Sequence, residues 1–322
     1  MNSTPLISVC IPAYNGAEFI AHTIQSVLNQ SFVDFELIVS DDRSSDDTVS
    51  IIKAFSDRRI KLIENAENLG LGGNWNRVLS LGLGKYVKLL CEDDLLHPQC
   101  LERQLQVLEH PVNKGVVLTL CARNVINERS QVILKPRRPR ITGVVKGSKL
   151  ITGSIRAGTN LIGEPAVGLF RREAMRKNEM CDPDNAFLSD LGLWSELLKW
   201  GDAFVDPACL ASFRVSRGAT SSIIGLGQPA SFRKFALKQR CEGFYQISNF
   251  DLLSGCVLSL GLCFLRNALV RIGSRRYVST HQGNNPATIH TCAPVPPSEV
   301  EHPCHVSREC QSDHKQSCAI CN

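Results

Sequence analysis

The chain has 322 residues, 43% hydrophobic and 21% charged, a balance that excludes a disordered or fibrous polypeptide and allows a substantial core with room for a second subdomain. Its formal net charge of +5 is spread through the second half, as in "KPRRPR" (135–140) and "RRYV" (275–278). That excess is too mild for a nucleic-acid partner but suits phosphate-bearing ligands or an anionic membrane surface.

No basic segment precedes the first apolar run, so no secretory leader is expected and the protein is expected in the cytoplasm. "LISVCIPA" (6–13) reads as a buried strand, followed by the loop "YNGAE" and a helix-period segment ending near residue 30. "FELIVSDD" (35–42) is a second strand ending in acids, and Ser44 with Asp47 resembles a capping box that opens a second helix. "IKLIENA" gives a third strand, "GGNWNRVLSLGL" a third helix, and "KYVKLLCEDD" a fourth strand. This alternation predicts βαβ units and a mostly parallel sheet.

A helix at "PQCLERQLQVLEH" and a strand at "GVVLTLCARNVIN" follow. Residues 129–160 are basic and rich in proline and glycine, which places a subdomain or mobile acceptor-side region there. "AVGLFRREAM" reads as a strand entering a turn, and "SDLGLWSELLKWG" (189–201) as a helix closed by Gly201. Residues 230–275 read as helical. Within them the longest apolar run, "LLSGCVLSLGLCFL" (252–265), is too short to span a bilayer and is read as a core helix, with an interfacial one as the alternative. The expected organisation is therefore 1–128, 129–228, a helical extension over 229–278 and a structureless tail over 279–322.

Nine of the 14 cysteines lie in apolar contexts before residue 264, as free thiols do in a reducing compartment. Five more (Cys292, Cys304, Cys310, Cys318, Cys321) crowd the tail. Cys318 and Cys321 form a C-x-x-C, but Cys304 and Cys310 are too widely spaced for a good first zinc knuckle, so zinc is not expected.

Parallel strands present ligands beyond their carboxyl ends, which puts the acids of "VSDD" and "CEDD" on one rim. Three consecutive acids, Glu92, Asp93 and Asp94, would repel there unless a hard divalent cation, magnesium or manganese, joined them with substrate phosphates. Capping of the next helix by Asp93 or Asp94 is the structural alternative. Asp41 and Asp42 precede the expected cap and suit a base or ribose. Asp190, near a helix start, reads as a general base or as an N-cap, and Trp194 one turn on as core or as a sugar platform.

In order, "ISVCIPAYNGAEFI", "FELIVSDDRSSDDT", "NLGLGGNWNRVL", "YVKLLCEDDLLHP", "IGEPAVGLFRRE" and "SDLGLWSELLKWG" resemble the family 2 glycosyltransferases, over roughly residues 5–215. The resemblance implies an α/β GT-A-type nucleotide-diphospho-sugar transferase fold with a helical C-terminal extension. It implies that Pro12, Ala13, Tyr14 and Asn15 form the first nucleotide loop and that Asp42, with Asp41 and Asp93, binds the donor. Asp94, with Glu92, would hold the metal, Asp190 would be the catalytic base, and Glu164 and Trp194 would line the acceptor side. The implied activity is inverting sugar transfer from a nucleotide-sugar to a saccharide or lipid-linked acceptor, in surface polysaccharide or glycoconjugate synthesis. Separately, the basic and aromatic helix pattern at 232–276 ("FRKFALKQRCEGFY", "FLRNALVRIGSRR") suits an anionic leaflet, so a peripheral place on the inner face of the cell membrane is an expectation. Arg43 departs from the family, which usually has glycine there, and the tail matches nothing in it. A non-catalytic nucleotide-sugar-binding protein of the same fold is the alternative. A dinucleotide-dependent oxidoreductase fails because "GLGGNW" lacks the third glycine of its fingerprint, and a sugar nucleotidyltransferase because "PAYNGAE" lacks a basic, glycine-rich loop.

Overall fold

A computed structural model describes residues 4–136, 141–177, 179–183, 185–216 and 227–280. The first run, Ile7–Ala13 (β1), and the second, Phe35–Asp41 (β2), are buried at every position, as strands covered on both faces must be. Helices Ile20–Leu28 (α1), Thr48–Lys53 (α2) and Gly70–Leu81 (α3) alternate with β1, β2, Ile60–Glu64 (β3) and Tyr86–Leu89 (β4). In α1 the apolar side chains Ile20, Ile24 and Val27 fall on one face and are buried. Each such side chain contributes about 1.5–3 kcal/mol of transfer free energy. The four strands pair in parallel in the order β3-β2-β1-β4, so the chain steps outward from β1 and then returns to its other side. That reversal opens a crevice beyond the carboxyl ends of β1 and β4.

The second half makes the sheet mixed. Leu95–Leu96 (β5), Cys100–Glu109 (α4), Val116–Ile126 (β6), Val132–Leu134 (β7), Gly143–Val145 (β8), Gly147–Ala157 (α5), Gly168–Arg171 (β9), Ser189–Leu197 (α6) and Asp202–Arg214 (β10) follow in turn. The full order is β3-β2-β1-β4-β9-β6-β10-β5, with β9 antiparallel to both neighbours, β7 on β6 and β8 on β10. Helices Gln228–Glu242 (α7) and Asn249–Thr280 (α8) close the described chain. Residues Met1–Ser274 form one unit; Arg275–Asn322 form another, of which only the end of α8, 275–280, is described. The Cys/His-rich tail and its zinc question lie outside the described residues. The nine described cysteines are all free, five of them buried.

Several local expectations are corrected. Ser44 does not cap α2: its hydroxyl and N–H both bond the Asp41 carboxylate, and Asp46 rather than Asp47 receives the Thr48 N–H. Helix α6 ends at Leu197, and Gly201 is small because Gly115 O and Val117 crowd it, where a Cβ would come within 2.6 Å of both. The region expected to be a subdomain or mobile holds α5, whose first N–H bonds Asp202, 55 residues away.

The 14-residue apolar run is no core helix. It lies in α8, where Leu253, Val257, Leu260 and Phe264 are exposed while Cys263 is buried. The buried side of α8 packs on the end of α5. A Cβ on Gly255 would stand 2.0 Å from Ile155 O, and one on Gly158 (φ +67°) 2.5 Å from Ser259 N. Arg156 Nε donates to Asp251 Oδ1 (2.6 Å), and Ser254 Oγ to Arg156 O (3.0 Å), fixing the crossing.

Candidate active site

The β1–α1 loop is shaped by its own backbone donors. Tyr14 N–H donates to Glu92 Oε2 (2.6 Å), Asn15 N–H to Ser44 Oγ (2.9 Å), Gly16 N–H to Thr48 Oγ1 (2.8 Å) and Ala17 N–H to Asp46 Oδ2 (3.0 Å). An added Cβ on Gly16 would lie 3.0 Å from Glu92 Cδ and would press on that carboxylate. Asn15 takes a left-handed backbone (φ +53°), a conformation asparagine tolerates, and its Oδ1 accepts from Ser45 N–H. Pro12, Ala13, Tyr14 and Asn15 thus line one wall of a cavity of about 1020 Å³.

Asp42, at the end of β2, lines the same wall. Its Oδ1 accepts from Leu69 N–H (2.8 Å) and Asn65 Nδ2 (3.0 Å), which orients the carboxylate. Asp41 does not join it: it is 2% exposed, and both its oxygens are engaged by Ser44. Asn68, Gly70, Leu71, Asn74 and Trp75 complete this end. They belong to the "NLGLGGNW" stretch, one of the motifs that carry the family resemblance. The signal present there was a glycine- and asparagine-rich run at a helix start.

The triple acid divides sharply. Glu92 and Asp93 line the cavity. Asp94 is wholly buried; its Oδ1 accepts from Arg214 N–H (3.0 Å), while its Oδ2 has no hydrogen-bond partner. Neither acid caps a helix, because α4 begins only at Cys100 with Gln99 before it. Burial raises the Glu92 carboxyl to about 8, against the Tyr14 bond and with the charges of Asp93, Asp46 and Asp41 adding to it. Burial also raises Asp93, while its own N–H and Arg214 oppose the rise. Arg214 holds the platform from beneath: Nε donates to Asp93 O (2.8 Å), Nη1 to Asn127 O (2.8 Å), and the guanidinium stacks 4.5 Å over Phe19. Sequence reading missed this residue, since β10 was not recognised as a strand.

Asp190, in the first turn of α6, lines the same cavity. Asn160 Nδ2 donates to its Oδ2 (2.7 Å) and Leu191 N–H to its Oδ1 (2.7 Å). Burial lifts its pKa to about 6; those two bonds pull it down, and Glu164 pushes it further up. Glu164 also lines the cavity and is ion-paired with Arg123. Trp194, expected beside it, is wholly buried: its ring meets Phe170 edge-on and its Nε1 donates to Gly163 O (2.8 Å). It therefore supports the 160–164 loop from the core side and lines nothing. The far wall comes from the extension, through Pro229, Phe232, Ser259, Leu262 and Cys263.

Seven carboxylates (Glu18, Asp42, Glu92, Asp93, Glu128, Glu164, Asp190) and no lysine, arginine or histidine line this cavity among the described residues. A crevice at a sheet's switch point, lined by carboxylates at the strand ends, is the arrangement of a GT-A-type transferase. The solved structures agree on the fold. S. aureus TarS in complex with UDP-GlcNAc matches with TM-score 0.60 at 17% identity, over 81% of this chain and 72% of that one. The mannosyltransferase PcManGT of Pyrobaculum calidifontis, in complex with GDP-Man and Mn2+, matches with TM-score 0.57 at 15% identity, over 87% and 82%. Residues 8–177 match the model of glycosyl transferase family 2, and the chain belongs to that family. One relative is the Escherichia coli UDP-Glc:alpha-D-GlcNAc-diphosphoundecaprenol beta-1,3-glucosyltransferase WfgD, 38% identical over 103 residues, which are 32% of this chain and 41% of that one.

Proposed function

We propose that this glycosyltransferase is inverting and metal-dependent, and moves a sugar from a nucleotide-sugar to an acceptor hydroxyl in surface polysaccharide or glycoconjugate synthesis. The observation that carries this reading is one cavity lined both by Asp190, whose pKa burial raises to about 6, and by the Glu92–Asp93 platform. Asp190 takes the proton of the acceptor hydroxyl as its oxygen bonds to the anomeric carbon. The bond from that carbon to the donor's diphosphate breaks, and the nucleoside diphosphate departs from the opposite side. Asn160 keeps the base oriented. Asp42, Asn68 and the Pro12–Asn15 loop hold the nucleoside.

The cavity's charge supports a divalent cation, because a diphosphate meets seven acids and no basic side chain among the described residues. Glu92 and Asp93 line the cavity and fit a hard cation that completes its shell from substrate phosphate, and the unpartnered Oδ2 of Asp94, the expected ligand, adjoins them in the chain. Among the described residues no cluster of three or more His, Cys, Asp or Glu makes a protein-only cage. When bound, the ion would neutralise charge on the leaving diphosphate. The known activity of the relative WfgD on a diphosphoundecaprenol-linked sugar supports a lipid-linked acceptor.

Titration calorimetry with UDP, GDP and dTDP, each with and without manganese, tests the reading. One diphosphate should bind only with the metal, and Asp93→Ala should abolish that binding. Failure of all three to bind folded protein would sink the donor site. If binding persists but Asp190→Asn leaves function unchanged, the protein is a non-catalytic binder.

A further inference from the structure

Helix α8 has two faces of opposite character. Asp251, Gly255, Ser259 and Cys263 recur every four residues and are buried. On the other side, Phe250, Leu253, Val257, Leu260 and Phe264 recur at three and four, and each is between 48% and 67% exposed. Soluble surfaces rarely line up five large apolar side chains in this way.

The segment that carries this stripe is strongly basic. Residues 228–274 carry Arg233, Lys234, Lys238, Arg240, Arg266 and Arg271, but only two acids. Both acids are already occupied inside the protein, Glu242 by Lys199 and Asp251 by Arg156. Arg233, Lys234 and Lys238 are exposed on α7. Residues 228–274 thus carry a net +4 of the chain's +5.

We propose that this face of α8 seats in the interfacial layer of an anionic phospholipid bilayer. An apolar stripe flanked by basic side chains is the pattern that binds such a surface, where each basic group adds to the attraction. No helix among the described residues is long and apolar enough to cross a membrane, so α8 lies along it. A second copy of the chain is the poorer occupant: covering the stripe with its twin would bring two net-positive segments together, with both acids of each already paired internally.

Flotation of the whole chain with two vesicle types tests this, one of phosphatidylcholine alone and one with about one-third phosphatidylglycerol. The protein should float with the anionic vesicles only, and binding should fall at least tenfold, roughly, when salt rises from about 0.05 to about 0.5 M. Leu253→Asp with Phe264→Asp should cut binding by about tenfold or more while metal-dependent nucleotide titration stays as in the wild type. If that variant is misfolded, Arg233→Glu with Lys234→Glu, which leaves α8 intact, should give the same loss. Wild-type protein that stays down with anionic vesicles at low salt overturns the proposal. So does a stable dimer that the α8 variant dissociates while vesicle binding is absent. The readout is lipid binding rather than turnover, so failure of the catalytic reading leaves it standing.

Discussion

Asp190 is held between the Asn160 amide and the Leu191 N–H, both of which favour its ionised form, while burial favours the protonated one. A general base works only when ionised, so kcat/KM should rise with pH through about 6 and level off above it. Asn160→Ala removes a bond that lowers the pKa, and the rising limb should move to higher pH in a pH–rate profile. Asp190→Asn should lower turnover by about 10²–10⁴-fold while leaving donor titration intact.

Asp93 and Asp94, adjacent in sequence, should separate cleanly. Asp93→Ala should lose metal-dependent nucleotide binding with little change in the unfolding midpoint. Asp94→Ala deletes the buried acceptor of Arg214 N–H and should cost about 1–3 kcal/mol in denaturant unfolding. Arg43 shows a further residue-scale effect. Its φ of +64° lies in the left-handed region, which accounts physically for glycine at that position in the family, and Arg43→Gly should stabilise by up to about 1 kcal/mol.

At the scale of elements, the first half was readable because each buried parallel strand is one apolar run ended by acids, and register carries the acids of β2 and β4 to one rim. Ala13 pairs with Asp41, and Leu90 N–H bonds Cys10 O. β10 was not readable. Its burial alternates irregularly, it contains Pro207, and its register against β6 shifts three times. α5 was missed because its start is satisfied by Asp202, a partner that local sequence does not announce. Which of three adjacent acids faces the cavity was equally hidden. The pairing of Leu95 and Leu96 with Ser212 and Ala211 brings Arg214 over Asp94, a tertiary event with no local trace. The α5–α8 crossing gives a test at this scale. Gly255→Ala puts a methyl into the Ile155 carbonyl and should destabilise by about 1–3 kcal/mol or free α8, which hydrogen exchange along 249–265 would report.

For the molecule as a whole, the cavity belongs to no single stretch of chain. The family match stops at residue 177, yet Asp190 lies beyond it, and Phe232, Ser259 and Leu262 close the wall farther still. A fragment trimmed to the matched segment would keep the rim at β1, β2 and β4 but lack Asp190. One trimmed after β10 would keep both and leave the chamber unroofed toward water, which competes with any acceptor hydroxyl. The matched segment and the cavity thus have different boundaries, and the last two helices supply walls that the matched segment does not contain.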